Sequence, residues 1–430
     1  MSSPLELEDA QARLLDMLVP TPSRPCPVES AAQLFLAQPV TARRTQPPTD
    51  LSAMDGYATV GDGPWELAGE SRAGASFPKA PSKGMAVRIS TGAQMPFPAD
   101  AVLIQENARI EDNRLVAIEP PTPRYIRRAG FDFHASDTLL EPGVRLGAAQ
   151  IALARAGGLS QVVVHDRPRV AVIECGDELC ADPTDCPPGL IPSTNGAMLG
   201  EMARDAGANV ARYGPLPDDA EAITRTILEA SGNAALVVIS GGASVGPHDL
   251  VKPALEAAGF TLDFWRVAIK PGKPLLVATR PSRNGGDTVV LGLPGNPVSS
   301  FVTGFFFMVP ALRRLAGAIH CLPQAVPMPL AAPLPVGGTR REFLRAEIGS
   351  GGVCPAEVQD SSALLPLARA QVLVDRLANV DAAKAGAFVP CYPLANCGYA
   401  WSISCSYQPN TAPVAARRAG GMEVAKNPCT

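Results

Sequence analysis

The sequence predicts a multidomain α/β protein whose central domain is an open, mainly parallel sheet with helices on both faces. Three observations carry this prediction. Apolar runs alternate with helical stretches over residues 169–315, short strands broken by Gly, Pro and Asp dominate residues 46–139, and strand-like segments return after Gly317. Alternating strands and helices are typical of parallel sheets that are covered on both faces. A chain of 430 residues is long enough for several domains.

The central region contains four apolar runs that we interpret as strands: RVAVIE, NVARYG, ALVVIS and TVVLGL. Helical stretches at residues 194–206, 219–230 and 250–258 alternate with them, and a long apolar helix is expected from Pro297 to about Leu315. Ligands bind to such sheets at the carboxyl ends of the strands. The loops that follow these strands are therefore the first candidates for a site.

The flanking regions favour smaller elements. Apolar spacing predicts an amphipathic helix at residues 5–19 and a second helix at 147–156, with a small all-β unit between them that includes AVRIS and AVLIQE. After Gly317, the segments PMPLAAPLPV, REFLRAEIG and AFVPCYPL predict a small β-barrel or sandwich that ends near Tyr407. Residues 408–430 show little periodicity, which indicates a disordered tail.

Composition excludes several classes of protein. The 37 basic and 41 acidic residues give a net charge of −4, which argues against a general nucleic-acid-binding surface. We expect no stretch to be long and apolar enough to cross a bilayer, and the start MSSPLELEDAQ is too acidic for a secretory signal. A cytoplasmic protein that binds neither membrane nor nucleic acid is the resulting expectation. Cys175, Cys180 and Cys186 are spaced more widely than a zinc-binding CxxC pair.

Two of the strand-end loops combine carboxylates and glycines. ECGDEL places Asp177 and Glu178 after a buried strand, which suits either a hard cation or an ordinary acidic turn. SGGASVGPHD resembles a phosphate cradle but lacks the Gly-Lys-Ser/Thr of a P-loop, and its Asp249 could simply cap a helix. The residues of this loop expected to approach a ligand are Ser240, Gly241, Gly242, Ser244 and Gly246.

Two further loops combine helix-capping and basic residues. In LPGNPVSS, Asn296 is a natural N-cap and Pro297 a natural first helical residue, so free N–H groups could face an anion or merely begin a well-capped helix. In RVAIKPGKP, two prolines and a glycine stiffen the turn that carries Lys270 and Lys273. A stiff turn lowers the entropic cost of binding an anion, although a solvated basic turn is the alternative.

Eight strings in this chain resemble the MoeA family of molybdopterin molybdenumtransferases, which is related to the gephyrin E domain. They are SAMDGYA, RISTGA, RRAGFDF, GDEL, SGGASVGPHD, IKPGKP, LPGNPVSS and REFLRA, and they span about residues 48–345 in the family's order. Any one string is unspecific, but eight in order are very specific.

The resemblance implies an elongated subunit of four parts and a homodimer. The parts are a linking helical/β domain (1–45 and 138–168), a β-rich inserted domain (46–137), a MogA-like molybdopterin-binding α/β domain (169–318) and a C-terminal β-barrel (319–407), followed by the tail. In the family, the site lies between the α/β domain of one subunit and the inserted and C-terminal parts of the other.

The resemblance also implies a reaction. The enzyme would take adenylylated molybdopterin and molybdate, place molybdenum on the dithiolene and release AMP, with Mg²⁺ or another divalent cation. Because the pterin's own sulfurs are soft ligands for molybdenum, the protein needs no cysteine site for it. Molybdopterin adenylyltransferase and the maturation proteins of downstream molybdoenzymes are candidate partners.

The residues and the resemblance together give an expected site. Its catalytic members are Asp55, Thr91, Asp132, Glu178, Asp218, Asp249, Lys270 and Lys273. Its substrate-binding members are Ser240, Gly241, Gly242, Ser244, Gly246, Arg266, Pro294, Gly295, Asn296, Ser299, Arg345 and Ser361. Glu178 and Asp249 are the expected ligands of Mg²⁺, because cleavage of the pyrophosphate link requires a carboxylate-held cation to neutralise charge.

The chain departs from the family pattern at three positions. Phe131 stands where an acid is usual, Arg266 where Lys is common, and Asp360 where Gly is usual, beside Ser361. Phe131 and Asp360 support one alternative, a molybdopterin-binding scaffold that has lost turnover. The α/β region with its Gly-rich loops leaves a second, a molybdopterin adenylyltransferase, against which SAMDGYA and the C-terminal region argue. A nucleotide-binding dehydrogenase is disfavoured because no GxGxxG follows the first central strand.

Overall fold

The computed structural model describes residues 4–241, 250–281 and 287–394. The chain forms two compact units. The first contains Met1–Ala268 and Gly272–Pro323, and the second contains Ile269–Pro271 and Gln324–Thr430.

The first unit begins with an amphipathic helix. Helix α1 (Leu7–Asp16) buries Leu7, Ala10 and Leu14, which confirms the predicted apolar face, although the helix is shorter than the predicted 5–19. Strands β1 (Ser23–Pro27) and β2 (Val40–Thr41) follow.

The inserted region is β-rich, as predicted. Its strands are β3 (Leu51–Ser52), β4 (Gly56–Thr59), β5 (Glu66–Ser71), β6 (Met85–Ile89), β7 (Ala101–Ile104), β8 (Ala108–Glu111), β9 (Arg114–Ala117) and β10 (Ile126–Arg127). A four-stranded sheet has the order β5-β6-β4-β7, β8 and β9 form a hairpin, and β10 pairs with β3. Trp65, Leu103 and Leu115 belong to one of its small cores.

The chain then returns to its first segment. The returning elements are β11 (Thr138–Leu140), α2 (Ala148–Ala156) and β12 (Gln161–His165). Strand β11 pairs with β2, and β12 pairs with β1 along its whole length. A buried core that includes Leu36, Leu146 and Val164 joins the two segments.

The central region is the predicted alternation of strands and helices. In chain order it contains β13 (Arg169–Cys175), β14 (Leu179–Cys180), β15 (Ile191–Pro192), α3 (Asn195–Asp205), β16 (Asn209–Leu216), α4 (Ala220–Asn233), β17 (Leu236–Ser240), α5 (Val251–Ala257), β18 (Thr261–Arg266), β19 (Ile269–Lys270), β20 (Pro274–Pro281), β21 (Asp287–Leu293), α6 (Pro297–Thr303) and α7 (Val309–Leu315). The sheet order is β16-β13-β17-β21-β20-β18. Its first four strands are parallel, whereas β20 runs antiparallel to both of its neighbours.

The helix after β21 corrects one expectation. A π-helical turn at Gly304–Met308 joins α6 to α7, so Pro297–Leu315 forms one helix of 19 residues. By length and composition alone, this helix could cross a membrane, contrary to our expectation that no stretch could. Because 78% of its apolar 18-residue window is buried inside the protein and the helix packs against α1 and α3, its apolar character serves the core.

The second unit is mainly β-structure. It contains β19, β22 (Val326–Pro329), β23 (Arg341–Gly349), β24 (Gly352–Pro355), α8 (Leu364–Arg369), β25 (Val372–Arg376) and β26 (Phe388–Pro393). The strand order is β19-β23-β25-β26-β22, with β24 beside β23. Closure of this sheet into a barrel stays a prediction, and the expected tail at 408–430 lies outside the described residues.

Candidate active site

The loops expected to carry chemistry lie at one edge of the central sheet. Strands β13, β16, β17 and β21 are parallel, so their carboxyl ends meet at this edge. Strand β18 also ends there, because two antiparallel pairings separate it from β21. We call this the carboxyl edge. The prediction that the four loops share one edge is confirmed for those of their described residues that belong to the first unit.

Two glycine turns touch at the carboxyl edge. The Gly241 N–H donates to the Leu293 carbonyl at 3.0 Å, and Gly241 has φ +94°, which favours glycine. A Cβ placed on Gly295 would lie 3.8 Å from the Gly241 Cα, so the two turns are adjacent. Ser240, at the end of β17, is buried. The other predicted members of its loop, Gly242, Ser244, Gly246 and Asp249, lie outside the described residues.

The turn after β21 begins the long helix as predicted. Asn296 occupies the N-cap position, Pro297 is the first helical residue, and the Ser300 N–H donates to the Asn296 carbonyl at 2.9 Å. Ser299 is buried in the first turn. Pro294 is half-buried and Gly295 is exposed, so this turn reaches the surface beside Gly241.

A buried polar network that the sequence did not reveal holds these turns. The Glu174 carboxylate, 3% exposed at the end of β13, accepts hydrogen bonds from Ser193 Oγ at 2.5 Å, Asn195 N at 3.1 Å and Gly196 N at 2.9 Å. Asn195 Nδ2 donates to Ser240 Oγ at 2.8 Å and to the Gly295 carbonyl at 2.7 Å. A carboxylate at the end of an otherwise apolar strand was the available signal, because a buried charge requires donors.

Hydrogen bonds from backbone N–H groups join two neighbouring loops that carry acidic residues. The Asp218 N–H donates to Asp177 Oδ1 at 3.0 Å, and the Gly176 N–H donates to the Leu216 carbonyl at 3.0 Å. Asp177, Glu178 and Asp218 are all exposed. Their oxygens suit a hard cation such as Mg²⁺. In the part of the chain that the structure describes, however, no three acidic, histidine or cysteine side chains converge as a metal site.

The basic turn after β18 divides between the two units. Lys270 belongs to β19 of the second unit, where its Nζ donates to Glu342 Oε1 at 2.7 Å. Lys273 belongs to the first unit; its side chain is exposed, and its carbonyl accepts the Val267 N–H at 2.9 Å. The Arg266 carbonyl accepts the Leu5 N–H at 2.7 Å. Backbone hydrogen bonds thus hold both ends of the turn, and Lys270 already has an acidic partner.

The inserted part brings together two of its three predicted site residues. Asp55 lies between β3 and β4, and its Oδ1 accepts the Thr91 N–H at 2.6 Å. The backbone and side chain of Thr91, with a smaller contribution from Arg88, lower the pKa of Asp55. Asp132 is exposed, and its N–H donates to the Gln46 carbonyl at 3.0 Å.

The neighbouring chain segment holds the loop that carries Asp132. Asp50 accepts hydrogen bonds from Arg128 Nη1 at 2.6 Å and Ala129 N at 2.8 Å. Among the described residues, no hydrogen bond or ion pair links Asp55, Thr91 or Asp132 to Glu178 or Asp218. The inserted part thus forms a separate group of site residues.

Arg345 is buried in the second unit. Its side chain is 1% exposed, and burial lowers the pKa of its guanidinium, an effect that Asp360 opposes. The guanidinium donates to Gln359 Oε1 at 3.2 Å, to the Ala363 carbonyl at 3.0 Å and to the Val358 carbonyl at 3.2 Å. Arg345 therefore fixes the segment that carries Ser361.

Asp360 fits this segment without the freedom of glycine. Its φ lies outside the left-handed region, and its carboxylate accepts hydrogen bonds from Ser362 N at 2.9 Å and Ser362 Oγ at 2.6 Å. These bonds lower the pKa of Asp360. Phe131, which stands where the family usually has an acid, is 75% exposed beside Asp132.

Two family models match the chain. The model described as "MoeA N-terminal region (domain I and II)" matches residues 5–158, and that described as "Probable molybdopterin binding domain" matches residues 171–314. Together they cover both sequence regions that contribute to the first unit's predicted site.

Two relatives and one solved structure agree with these models. A molybdopterin molybdenumtransferase of Nostoc sp. is 37% identical over 66% of this chain and 67% of its own length, and one of Haemophilus influenzae is 35% identical over 73% and 78%. The crystal structure of a molybdopterin biosynthesis moeA protein from Pyrococcus horikoshii superposes with a TM-score of 0.77 and 24% identity, covering 91% of this chain and all of the other. That structure shows the same fold.

Proposed function

Because this chain belongs to the MoeA family of molybdopterin molybdenumtransferases, enzymes of molybdenum cofactor biosynthesis, we propose that it inserts molybdenum from molybdate into adenylylated molybdopterin and releases AMP. The contact between the Gly241 and Gly295 turns at the carboxyl edge is the observation that carries the proposal. With no side chains on Gly241 and Gly295, a phosphate group can approach the backbone of these turns and the start of helix α6.

The acidic loops beside these turns support a divalent cation. Glu178, with Asp249, would hold Mg²⁺, and Asp218 lies on the neighbouring loop. The cation would neutralise charge on the phosphate oxygens. Carboxylate oxygens are the donors that Mg²⁺ prefers, so the residue types fit, although Glu178 and Asp218 alone do not complete a coordination shell.

Basic residues would bind molybdate. Lys273 is exposed, and the Lys270 ammonium uses one of its three donors on Glu342, so donors remain for an oxyanion. Arg266 would add a planar pair of donors. The pterin sulfurs would receive the metal, which needs no protein thiol.

We also propose a cytoplasmic homodimer in which the Asp55–Thr91 group of one subunit serves the carboxyl edge of the other. The absence of a link between the two groups within the described part of one chain is consistent with this arrangement. Light scattering of the purified protein tests the dimer. Molybdopterin adenylyltransferase and later maturation proteins would be transient partners.

The decisive experiment supplies the purified protein with adenylylated molybdopterin, Mg²⁺ and molybdate, and follows AMP release and molybdenum in the pterin. We expect AMP release that depends on molybdate and is lost with a chelator. A protein that instead forms the adenylylated pterin from molybdopterin and ATP would be the adenylyltransferase. Tight pterin binding with neither product would favour the scaffold, and Phe131 and Asp360 would be the residues to revert.

Glu178→Ala and Asp249→Ala test the cation site. Each is expected to lower turnover about 100-fold, the loss typical of one electrostatic group at a reacting centre, with unchanged folding. Glu229→Ala, an exposed carboxylate on α4, is the matched control. Normal rates in both variants would contradict the assignment of the cation ligands.

A further inference from the structure

We propose that Asn195, held by Glu174, is a positioning residue that sets the distance between the two glycine turns and thereby the affinity for the phosphate-bearing pterin. This inference deepens the proposed function and rests on it for the identity of the ligand. Neither residue belongs to the eight strings that carry the family resemblance.

Glu174 fixes the start of α3 to the central sheet. Its carboxylate accepts the Asn195 and Gly196 N–H groups, which are among the donors that a helix leaves without partners in its first turn. The negative charge also favours the positive end of the helix. The Ser193 hydroxyl provides a third bond at 2.5 Å. Asn195 therefore has little freedom relative to the end of β13.

The Asn195 side chain extends this anchor to the two glycine turns. Its Nδ2 donates to Ser240 Oγ, at the end of β17, and to the Gly295 carbonyl, in the turn after β21. A carbonyl oxygen only accepts, so the amide must direct its nitrogen towards Gly295. One buried carboxamide, 5% exposed, thus joins α3, β17 and the β21 turn.

The separation of these turns matters because both are expected to face the same ligand. Direct backbone support between them includes the bond from Gly241 N to the Leu293 carbonyl. Gly295 itself lies two residues further on, where Asn195 Nδ2 holds its carbonyl. Loss of that bond would free the Gly295 peptide to move, and binding groups that are not preorganised bind more weakly.

Two substitutions separate positioning from charge. Asn195→Ala removes both bonds without adding charge, whereas Asn195→Asp keeps the shape but places a carboxylate oxygen against the Gly295 carbonyl. Both should raise the KM for adenylylated molybdopterin about tenfold, the equivalent of ~1.4 kcal/mol, which is the scale of one or two hydrogen bonds. The KM for molybdate and kcat should change less than about twofold, because the predicted molybdate ligands lie on another turn.

Asn209→Ala and Asn209→Asp are the matched controls. Asn209 begins β16 at the opposite edge of the same sheet and is exposed, so both KM values should stay at the wild-type level. A purely structural role of Asn195 would lower the unfolding free energy and leave the KM values unchanged. That result, or a raised pterin KM in Asn195→Asp alone, would overturn the proposal.

Equilibrium binding keeps the inference separate from the proposed function. If wild-type protein does not turn over, the Kd for molybdopterin is measured by direct titration on the same variants; an unchanged Kd in Asn195→Ala would refute positioning. Should Asn195→Ala fail to fold, Glu174→Gln replaces it. The amide leaves one of three donors without an acceptor, so a smaller rise in the same constant is expected, and no rise would count against the proposal.

Discussion

The inserted part and the second unit each contribute a charged side chain to the expected site, but in opposite surroundings. Asp55 is exposed and accepts a backbone hydrogen bond from Thr91. Arg345 is 1% exposed, and its guanidinium is bonded to Gln359 and to two backbone carbonyls. An exposed group can be changed at little cost to folding, whereas removal of a buried one leaves its partners unsatisfied.

A match to a family motif therefore identifies a site position, but it does not show whether the side chain contacts the ligand or supports the surrounding structure. Both residues belong to strings of the same family resemblance, SAMDGYA and REFLRA. Asp55 is exposed to a ligand, whereas the buried Arg345 would act through the loop that it holds. Four measurements test this contrast between an exposed and a buried site residue.

Arg345→Ala should have the largest effect. It removes the guanidinium donors of the Val358 and Ala363 carbonyls and one of the two Arg345 donors to Gln359 Oε1, while the backbone N–H keeps the other. The free energy of unfolding of the second unit should therefore fall by about 3 kcal/mol or more. Urea unfolding of the full chain followed by circular dichroism measures this loss. Arg369→Ala, at the exposed end of α8, is the control. If Arg345→Ala lowers the free energy of unfolding no more than Arg369→Ala does, the contrast between a buried and an exposed site residue is wrong.

Asp55→Asn should lower turnover with no measurable change in stability. The amide oxygen can still accept the Thr91 N–H, but the negative charge is lost. If Asp55 acts on the substrate, kcat/KM should fall by about 100-fold, the lower end of the range for a directly acting acid–base group. Steady-state kinetics measure the change in kcat/KM, and thermal unfolding measures the change in stability. A loss of stability with an unchanged kcat/KM would mean that Asp55, like Arg345, supports the fold and does not act on the substrate.

The titration of Asp55 should show a smaller effect. Its pKa lies below the ordinary 3.8, chiefly because Thr91 donates to it. A carboxylate with a lowered pKa stabilises the fold above its unfolded pKa, and this stabilisation is lost as the pH falls through the folded value. Carboxyl carbon NMR between pH 7 and 2 measures the pKa. Thr91→Ala should raise the pKa of Asp55, because it removes the side-chain donor and keeps the backbone hydrogen bond. A wild-type pKa at or above 3.8 would contradict the hydrogen bonding of Asp55 by Thr91.

Asp360→Gly should have the smallest effect. It removes the bonds to Ser362, which lie at the surface, and adds freedom to the unfolded chain. The melting temperature should fall by about 1–3 °C, with turnover unchanged. Calorimetry and the AMP assay measure the two. A marked gain in turnover would mean that Asp360, and not only Arg345, controls this loop.

Much of the central fold could be predicted from the sequence. Fully apolar runs such as ALVVIS predict buried strands, and Asn296-Pro297 predicts a helix start at the correct residue. Strand β20 was not recognised as a separate strand, and its antiparallel direction could not be inferred, because an apolar run carries no information about direction.

The site was less predictable because its supporting contacts are not local. Glu174 and Asn195 are 21 residues apart in sequence, and Asn195 reaches Gly295, 100 residues further on. Motif spacing along the chain does not reveal such pairs. The partner of Lys270, Glu342, is similarly 72 residues away, so the basic turn could be predicted but its ion pair could not.

Strand β19 has a practical consequence for dissecting the protein. This two-residue strand pairs with β23, yet it lies between two elements of the first unit in the sequence. A fragment that begins at Gln324 would lack β19 and expose the hydrogen-bonding groups of β23 at Arg341 and Glu342, the two residues that β19 pairs with. Unpaired strand edges promote aggregation, so poor solubility of such a fragment would reflect the missing strand. A version of the C-terminal sheet made for separate study should therefore carry residues 269–271, joined to it by grafting or by circular permutation.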